Sequence, residues 1–256
     1  MSRRLRVQAA IGHSSREDRI VQASQQAYIV APDPVLVSVT CSEAAFAVRR
    51  LYCVGRNYVE HIREMKEGDE RDPPFFFQKP ADAIVEDGGA VPYPAFTDDF
   101  QHEIELVAAI GRGGRNIPVE RALDHVFGYA IGIDLTRRDR QREARDLRLP
   151  WEVGKSFDSS APCGPIHPAD SVGHITAGAI SLSVNGETRQ TGDIGQMIWN
   201  VAEIVANLSR HYALVAGDLI FTGTPAGVGP VLPGDRLEGV IAGLGRLAIT
   251  ITERED

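Results

Sequence analysis

The sequence has few cysteines and no pairing pattern among them. Its 256 residues include only Cys41, Cys53 and Cys163, which lie far apart and form no Cys-x-x-Cys motif. Disulfide frameworks and zinc sites need an even-numbered or closely spaced set of cysteines. The composition therefore gives no zinc signature and suits a protein of the reducing cytoplasm.

Long apolar runs and an excess of positive charge are also missing. No stretch approaches the roughly 20 apolar residues that cross a bilayer, and no apolar signal-peptide core follows the basic residues 1–6. A formal net charge of −8 argues against nucleic acid or an anionic membrane as a partner. A small anionic substrate stays compatible, because a metal ion and a few basic side chains can reverse the potential inside one cleft.

The length and the 43% hydrophobic content fit one domain with a sizeable core. We expect residues 1–45 to be an N-terminal extension, partly flexible, with a short strand at residues 35–40. Residues 46–256 then form a single domain.

The hydrophobic pattern predicts an α+β fold that is rich in strands, with a mixed, rolled or barrel-like sheet and a few short helices. Asn185-Gly186 between alternating apolar residues predicts a hairpin. A Rossmann fold is disfavoured, since the glycine-rich residues 223–229 are followed by proline rather than by a helix. Strands are predicted at residues 45–55, 75–77, 101–110, 129–135 and 180–187, and helices at 57–67, 119–126, 137–147 and 194–212.

Three acidic residues form a candidate metal site. Glu103 and Glu105 stand two positions apart in a predicted strand, so both side chains point to one face. Asp134 ends a second, mainly apolar strand, where an unpaired acid is costly. Carboxylate oxygens suit Mg²⁺ or Mn²⁺. The alternative is a solvated strand face with Asp134 as a helix N-cap.

Further polar residues could take part in catalysis. His61 and Glu64 are three apart, on one face of a predicted helix, where a carboxylate could orient an imidazole that activates water. The alternative is an ordinary surface helix. Gly223 and Thr224 open a glycine-rich turn whose backbone N–H groups could bind a carboxylate, or which could simply connect two strands.

Taken together, ordered stretches over about residues 46–250 resemble the fumarylacetoacetate hydrolase family. They are GRNYVEHIRE (55–64), KP (79–80), HEIEL (102–106), GYAIGIDLTRRDRQ (128–141), KSFD (155–158), AP (161–162), VNGE (184–187), MI (197–198) and TGTPAGVG (222–229). The finer pattern in RRLYCVG (49–55), PPFFFQKP (73–80) and APCG (161–164) is similar to that of its small acylpyruvate hydrolases.

The resemblance implies a mixed, rolled β-sheet fold, a homodimer and one Mg²⁺ or Mn²⁺ per subunit. It implies that Glu103, Glu105 and Asp134 bind the metal. The implied catalytic residues are His61, Glu64 and Lys155. Substrate contacts are expected from Arg56, Tyr58, Arg138, Gln141, Gly223 and Thr224.

The implied activity is hydrolysis of the carbon–carbon bond of a 2,4-dioxo acid, with fumarylpyruvate from gentisate-type aromatic catabolism as the expected substrate. The alternatives are oxaloacetate decarboxylation, or an isomerase or hydratase reaction through a similar enolate. A metal-binding scaffold without catalysis is disfavoured, because His61, Glu64 and Lys155 are all present.

Overall fold

The computed structural model describes residues 33–65 and 72–254. The side chains of Ile62, Glu64 and Met65 lie outside this description, although their backbone belongs to a helix. The expected flexibility of residues 1–32 likewise falls outside the described residues.

Short strands dominate the described residues, and the helices are few. The strands are β1 (Leu36–Val37), β2 (Phe46–Ala47), β3 (Arg50–Gly55), β4 (Phe75–Lys79), β5 (Ile84–Val85), β6 (Ala90–Pro92), β7 (Phe100–His102), β8 (Ile104–Ile110), β9 (Val126–Ile133), β10 (Thr136–Arg137), β11 (Ala161–Pro162), β12 (His167–Pro168), β13 (Ala179–Val184), β14 (Glu187–Asp193), β15 (Asp218–Phe221), β16 (Gly229–Pro230), β17 (Arg236–Ile241) and β18 (Gly245–Thr252). The α-helices are α1 (Val59–Met65), α2 (Arg138–Asp146), α3 (Glu152–Lys155), α4 (Ala169–Val172) and α5 (Val201–His211), and 3₁₀ helices span Ala81–Ala83, Val119–His125 and Ile194–Gln196. Within this part of the chain no helix is long and apolar enough to cross a membrane.

Two larger sheets organise the fold. One has six strands in the order β12-β9-β8-β15-β3-β4, and the other has five in the order β14-β13-β17-β18-β6. Most neighbours are antiparallel, whereas β15 pairs with β3, and β18 with β6, in parallel. The predicted α+β class with mixed sheets is confirmed, and the strands of residues 33–65 and 72–254 do not close into a barrel.

Strand β8 lies between two hydrophobic cores and is buried on both faces. Ile104 and Leu106 pack in the larger core, and Val107 and Ala109 in the smaller one. Because side chains alternate along a strand, Glu105 lies on the face of the smaller core. This alternation is what brings a carboxylate into an otherwise apolar layer.

Helix α5 closes the larger core. Its buried face includes Ile204, Val205 and Leu208, and each buried aliphatic side chain of this size contributes about 1.5–3 kcal/mol. Asn200 and Glu203 form a capping box at the first turn, which satisfies two backbone N–H groups that the helix itself leaves unpaired.

Several sequence-based boundaries need correction. The prediction of one helix over residues 194–212 is wrong, because the Ile194–Gln196 3₁₀ helix and α5 are separate elements, each with its own side-chain cap, Asp193 and Asn200. The strand predicted at 45–55 is divided into β2 and β3. The short strand expected near residues 35–40 is present as β1, and the hairpin turning at Asn185-Gly186 is confirmed as β13–β14.

Candidate active site

Three carboxylates meet at one end of the six-stranded sheet. Glu103 immediately precedes β8, Glu105 is the second residue of β8, and Asp134 immediately follows β9. The N–H of Asp134 donates to the carbonyl oxygen of Glu103 at 2.8 Å, so the strand pairing itself fixes their spacing. One oxygen from each of the three side chains lies within 4.8 Å of the others, and all three residues are at most 5% exposed. A divalent cation could bind there, as oxygen donors of this kind prefer.

Lys155, the last residue of α3, reaches into this cluster. Its ammonium donates to Glu103 Oε2 at 2.8 Å, to Asp134 Oδ2 at 2.8 Å and to Thr136 Oγ1 at 2.7 Å. Burial opposes its charge, but Asp134 and Glu103 outweigh that effect and raise the pKa of Lys155 above its ordinary value. In the metal-free fold the two acids therefore favour the charged form of Lys155, which donates hydrogen bonds to them.

A second buried lysine joins the cluster without having been assigned a role from the sequence. Lys79 ends β4, and its Nζ lies 2.9 Å from Asp134 Oδ1. Its ammonium also donates to the carbonyl oxygens of Leu135, at 3.0 Å, and of Lys155. In the sequence, Lys79 belonged to one of the stretches that resemble the family, and it could have reached into a cleft or remained solvated.

Arg138 begins α2 and is only 1% exposed. Its guanidinium donates to Glu103 Oε1, to Gln101 Oε1 at 2.8 Å, and to Gln141 Oε1. Each of its three nitrogens thus contacts a protein acceptor, so Arg138 orients Glu103. Arg138 also lines the cavity above the carboxylates, and its predicted contact with substrate stays a prediction. Because an arginine can only donate, Gln141 must turn its oxygen towards Arg138. The amide N–H₂ of Gln141 is left for the cavity that this residue lines.

The two glutamates have opposite electrostatic environments. Burial raises the pKa of Glu103, but the charges of Lys155 and Arg138 outweigh it and hold that pKa well below its usual range. Burial, followed by the negative charges of Asp134 and Glu103, raises the pKa of Glu105 well above its ordinary value. Glu105 accepts a hydrogen bond from the N–H of Gly223 at 2.7 Å. A buried carboxylate without a cationic partner is costly, and a bound cation would relieve that cost.

A cavity opens above the carboxylates. Among the residues predicted to contact substrate, Arg56, Arg138, Gln141 and Thr224 line it, and so does His61, which is 8% exposed. Tyr58 and Gly223 do not line this cavity: Tyr58 is buried and lines a second cavity, and the N–H of Gly223 donates to Glu105. The side chain of Glu64 lies outside the described part, so its pairing with His61 stays a prediction.

Asn57 anchors the start of the segment that carries His61. The Asn57 amide donates to the carbonyl oxygens of Thr222 at 2.7 Å and Trp199 at 2.9 Å, and its oxygen accepts the N–H of Trp199 at 2.8 Å. Arg56 has a positive φ of 60°, which turns the chain sharply between β3 and α1. Sequence reasoning missed Asn57, because its partners lie more than 140 residues away along the chain.

The match to a known family agrees with this arrangement. The profile described as Fumarylacetoacetate (FAA) hydrolase C-terminal matches residues 50–252. The chain belongs to the fumarylacetoacetate hydrolase family.

Individual relatives of this chain are named for particular reactions. A fumarylpyruvate hydrolase from a Ralstonia species is 43% identical over 181 residues, which are 71% of this chain and 94% of that protein. The crystal structure of fumarylpyruvate hydrolase from Pseudomonas aeruginosa in complex with Mn²⁺ and pyruvate has a TM-score of 0.87 and 53% identity, and covers 89% of this chain and 100% of that chain. A mitochondrial oxaloacetate tautomerase from Homo sapiens is 38% identical over 207 residues, 81% of this chain and 93% of that protein. The family and the hydrolases among these relatives indicate an enzyme that hydrolyses carbon–carbon bonds.

Proposed function

We propose that this enzyme hydrolyses fumarylpyruvate to fumarate and pyruvate with a divalent cation, Mg²⁺ or Mn²⁺. The observation that carries the proposal is the buried group Glu103, Glu105 and Asp134 beneath a cavity that also contains His61. The 53% identity to a fumarylpyruvate hydrolase solved with Mn²⁺ and pyruvate supports the same assignment.

The three carboxylates fit a hard divalent cation. Their oxygens are the donors that Mg²⁺ and Mn²⁺ prefer. Burial first, and then the negative charges of Asp134 and Glu103, raise the pKa of Glu105, and a bound cation would offset both effects. Glu103, Glu105 and Asp134 would hold the ion. When bound, the ion supplies Lewis-acid stabilisation of negative charge on an oxo-acid oxygen.

His61 is the proposed general base. Its side chain is largely buried and lines the cavity, where an imidazole can accept a proton from water. The water oxygen bonds to C4 of the substrate, and the C3–C4 bond breaks with its electron pair moving to C3. C4 leaves as the new carboxylate of fumarate, and C3 takes up a proton to become the methyl group of pyruvate. Glu64 is proposed to orient the imidazole.

Lys155 is proposed to stabilise the negative charge that develops on the 2-keto oxygen of the substrate as the C3–C4 bond breaks. It is a cation held in place by two carboxylates and a hydroxyl, which accept its three hydrogens. It would therefore act through its fixed positive charge, and charge that is already in place when negative charge develops usually makes a large contribution to catalysis.

The charge of the site favours a substrate with two carboxylates. The buried acids Glu103, Glu105 and Asp134 are matched in number by the buried cations Lys79, Lys155 and Arg138. A divalent ion then leaves a local excess of two positive charges, which suits a dianion such as fumarylpyruvate better than a monoanion such as acetylpyruvate. Donors from Arg56, Gln141 and Thr224 line the same cavity.

Oxaloacetate chemistry is the second candidate, because a 38% identical relative is named an oxaloacetate tautomerase and a 39% identical one an oxaloacetate decarboxylase. Oxaloacetate is also a dianion, and both reactions pass through an enolate without attack by water. They would use Lys155 but would not require His61 to activate a nucleophile.

One assay separates these functions. Chelator-treated enzyme is supplied with Mg²⁺ or Mn²⁺ and tested side by side on fumarylpyruvate, acetylpyruvate and oxaloacetate. We expect no turnover without metal and the highest kcat/KM for fumarylpyruvate. Turnover by the chelated enzyme would contradict the metal site, and a preference for oxaloacetate would select the second candidate.

We propose a homodimer that acts in aromatic catabolism, with residues 46–256 as its catalytic domain. A cytoplasmic location is proposed because the three cysteines are unpaired, as is usual in a reducing compartment.

A further inference from the structure

Gln190 is a buried amide in a strand that is otherwise partly or fully exposed. It is 0% exposed and is the one buried residue of β14. The pairing of β13 with β14 is irregular next to it, because Leu182 faces Gln190 whereas Ser183 faces Thr188. Such bulges re-aim side chains near functional sites. Here the irregularity accompanies a polar side chain that points inward, towards the strand of the metal-site glutamates.

The contacts of Gln190 determine which way its amide faces. Its Oε1 accepts the backbone N–H of Ile104 at 3.0 Å, and its Nε2 donates to the carbonyl oxygen of Pro225 at 2.8 Å. A backbone N–H can only donate and a carbonyl can only accept, so the reversed orientation would lose both bonds. Oε1 also lies 2.9 Å from His102 Nδ1.

This orientation has a consequence for Thr224. The second hydrogen of Gln190 Nε2 goes to Thr224 Oγ1, at 2.7 Å. A hydroxyl has one hydrogen to give, and since Oγ1 already accepts from Gln190, its own hydrogen is left for another acceptor. Thr224 lines the cavity. The hydroxyl is therefore set as a donor, which is the polarity that an anionic oxygen requires.

Two glycines allow the Thr224 turn to lie close to β14. A side chain at Gly192 would come within 2.7 Å of the Pro225 ring. A side chain at Gly227, which has a φ of +95°, would come within 2.3 Å of the carbonyl oxygen of Arg189. The close approach makes the bonds from Gln190 short and leaves the turn little freedom to move.

We propose that Gln190 is a positioning residue that fixes the Thr224 hydroxyl as a hydrogen-bond donor to the carboxylate of a 2-oxo acid. The inference rests on the proposed function for the identity of the ligand. The neighbouring residue Gly223 donates to Glu105, so Thr224 lies beside the metal site, where a chelating 2-oxo carboxylate would bind.

The test uses Gln190→Glu, Thr224→Val and the double variant. Glutamate keeps the acceptor for Ile104 but places a second acceptor opposite Thr224 Oγ1, which would then draw the hydroxyl hydrogen away from the ligand. We expect the KM for fumarylpyruvate, and the Kd of the Mn²⁺-loaded protein for pyruvate, to rise about 10- to 100-fold, the size of one hydrogen bond to a charged group. We expect kcat to change by less than about 3-fold, as for an interaction made equally in the ground and transition states.

The double variant decides whether Gln190 acts through Thr224. In the Thr224→Val background, Gln190→Glu should have no further effect on KM or Kd, since coupled residues are not additive. Gln190→Met removes the donor without adding an acceptor, so its effect on affinity should be smaller than that of Gln190→Glu. Thr188→Val, an exposed change on the same strand, serves as the matched control.

Wild-type affinity in Gln190→Glu, additive effects in the double variant, or losses that follow melting temperature rather than the acceptor would each overturn the inference. If Gln190→Glu does not fold, the comparison of Gln190→Met with Thr224→Val, alone and combined, carries the same test of additivity. Wild-type protein that binds pyruvate but does not cleave fumarylpyruvate would overturn the proposed function alone, because pyruvate binding still reports on Gln190. Wild-type protein that binds neither compound would overturn both.

Discussion

Glu105→Gln separates the cost of a buried carboxylate from its use as a metal ligand. Glutamine has the same shape, and its oxygen can still accept the N–H of Gly223, now 2.7 Å from Glu105. The change removes one of three neighbouring negative charges and one charged ligand. We therefore expect the metal-free variant to be more stable than the metal-free wild type, but to bind Mn²⁺ much more weakly.

The size and the pH range of this effect follow from the pKa of Glu105. Burial, Asp134 and Glu103 raise that pKa in the metal-free fold above its ordinary value of 4.5. The folded protein therefore holds this proton more tightly than the unfolded chain does. Below the pKa that Glu105 has in the unfolded chain, its proton affinity does not change the free energy of unfolding. As the pH rises from there through the pKa of the folded state, the free energy of unfolding falls. Each unit by which folding raises the pKa of Glu105 lowers the free energy of unfolding by about 1.4 kcal/mol once the carboxyl is ionised.

Urea unfolding of chelator-treated wild type and Glu105→Gln between about pH 5 and pH 8 measures this difference. We expect the advantage of the variant to grow with pH. Mn²⁺ at about 100 times its Kd should raise the free energy of unfolding of the wild type by about 2.7 kcal/mol, and that of the variant by much less. Glu120→Gln, which removes an exposed carboxylate, should show neither effect. Equal stability of the two metal-free proteins at every pH, or unchanged Mn²⁺ affinity in the variant, would refute the reasoning.

Three further predictions concern the surrounding residues. His61→Ala should lower fumarylpyruvate cleavage about 10²- to 10⁴-fold at unchanged Mn²⁺ affinity and should affect oxaloacetate decarboxylation much less; equal losses would show that His61 does not activate water. Arg138→Met should lower the free energy of unfolding by about 3–5 kcal/mol, because Glu103 loses a buried cationic partner. The control Arg142→Met breaks an exposed ion pair and should lower it by at most about 1 kcal/mol. Similar urea midpoints for the two variants would contradict this expectation. Asn57→Leu should cost about 1–3 kcal/mol by leaving buried carbonyl groups unpaired, and a wild-type unfolding curve would show that this anchor is dispensable.

The sequence predicted the carboxylate cluster well, for a local reason. Residues two apart on a strand share a face, so the spacing of Glu103 and Glu105 already placed them together. The structure adds that Glu103 stands between β7 and β8 rather than inside one continuous strand. The hydrophobic pattern also predicted most elements, because burial alternates along strands and repeats along helices.

Contacts between distant parts of the chain could not be predicted in this way. Three polar side chains reach the metal site or its strand from 35 or more positions away in the chain. Lys79 contacts Asp134, Arg138 contacts Glu103, and Gln190 contacts the N–H of Ile104. Nothing in the sequence around them indicates these particular contacts. The helix predicted over residues 194–212 failed for another reason, since Asn200 fits a helical pattern and also caps a new helix.

Hydrolysis in water labelled with ¹⁸O tests the central claim most directly. If water attacks C4 of fumarylpyruvate, each fumarate released in a single turnover gains one ¹⁸O atom in the carboxylate formed from C4. Mass spectrometry of the fumarate measures this label, and metal-free enzyme provides the control. We expect one labelled oxygen per fumarate, and only when Mg²⁺ or Mn²⁺ is present. Fumarate released without label, or substrate converted with its carbon–carbon bond intact, would contradict it.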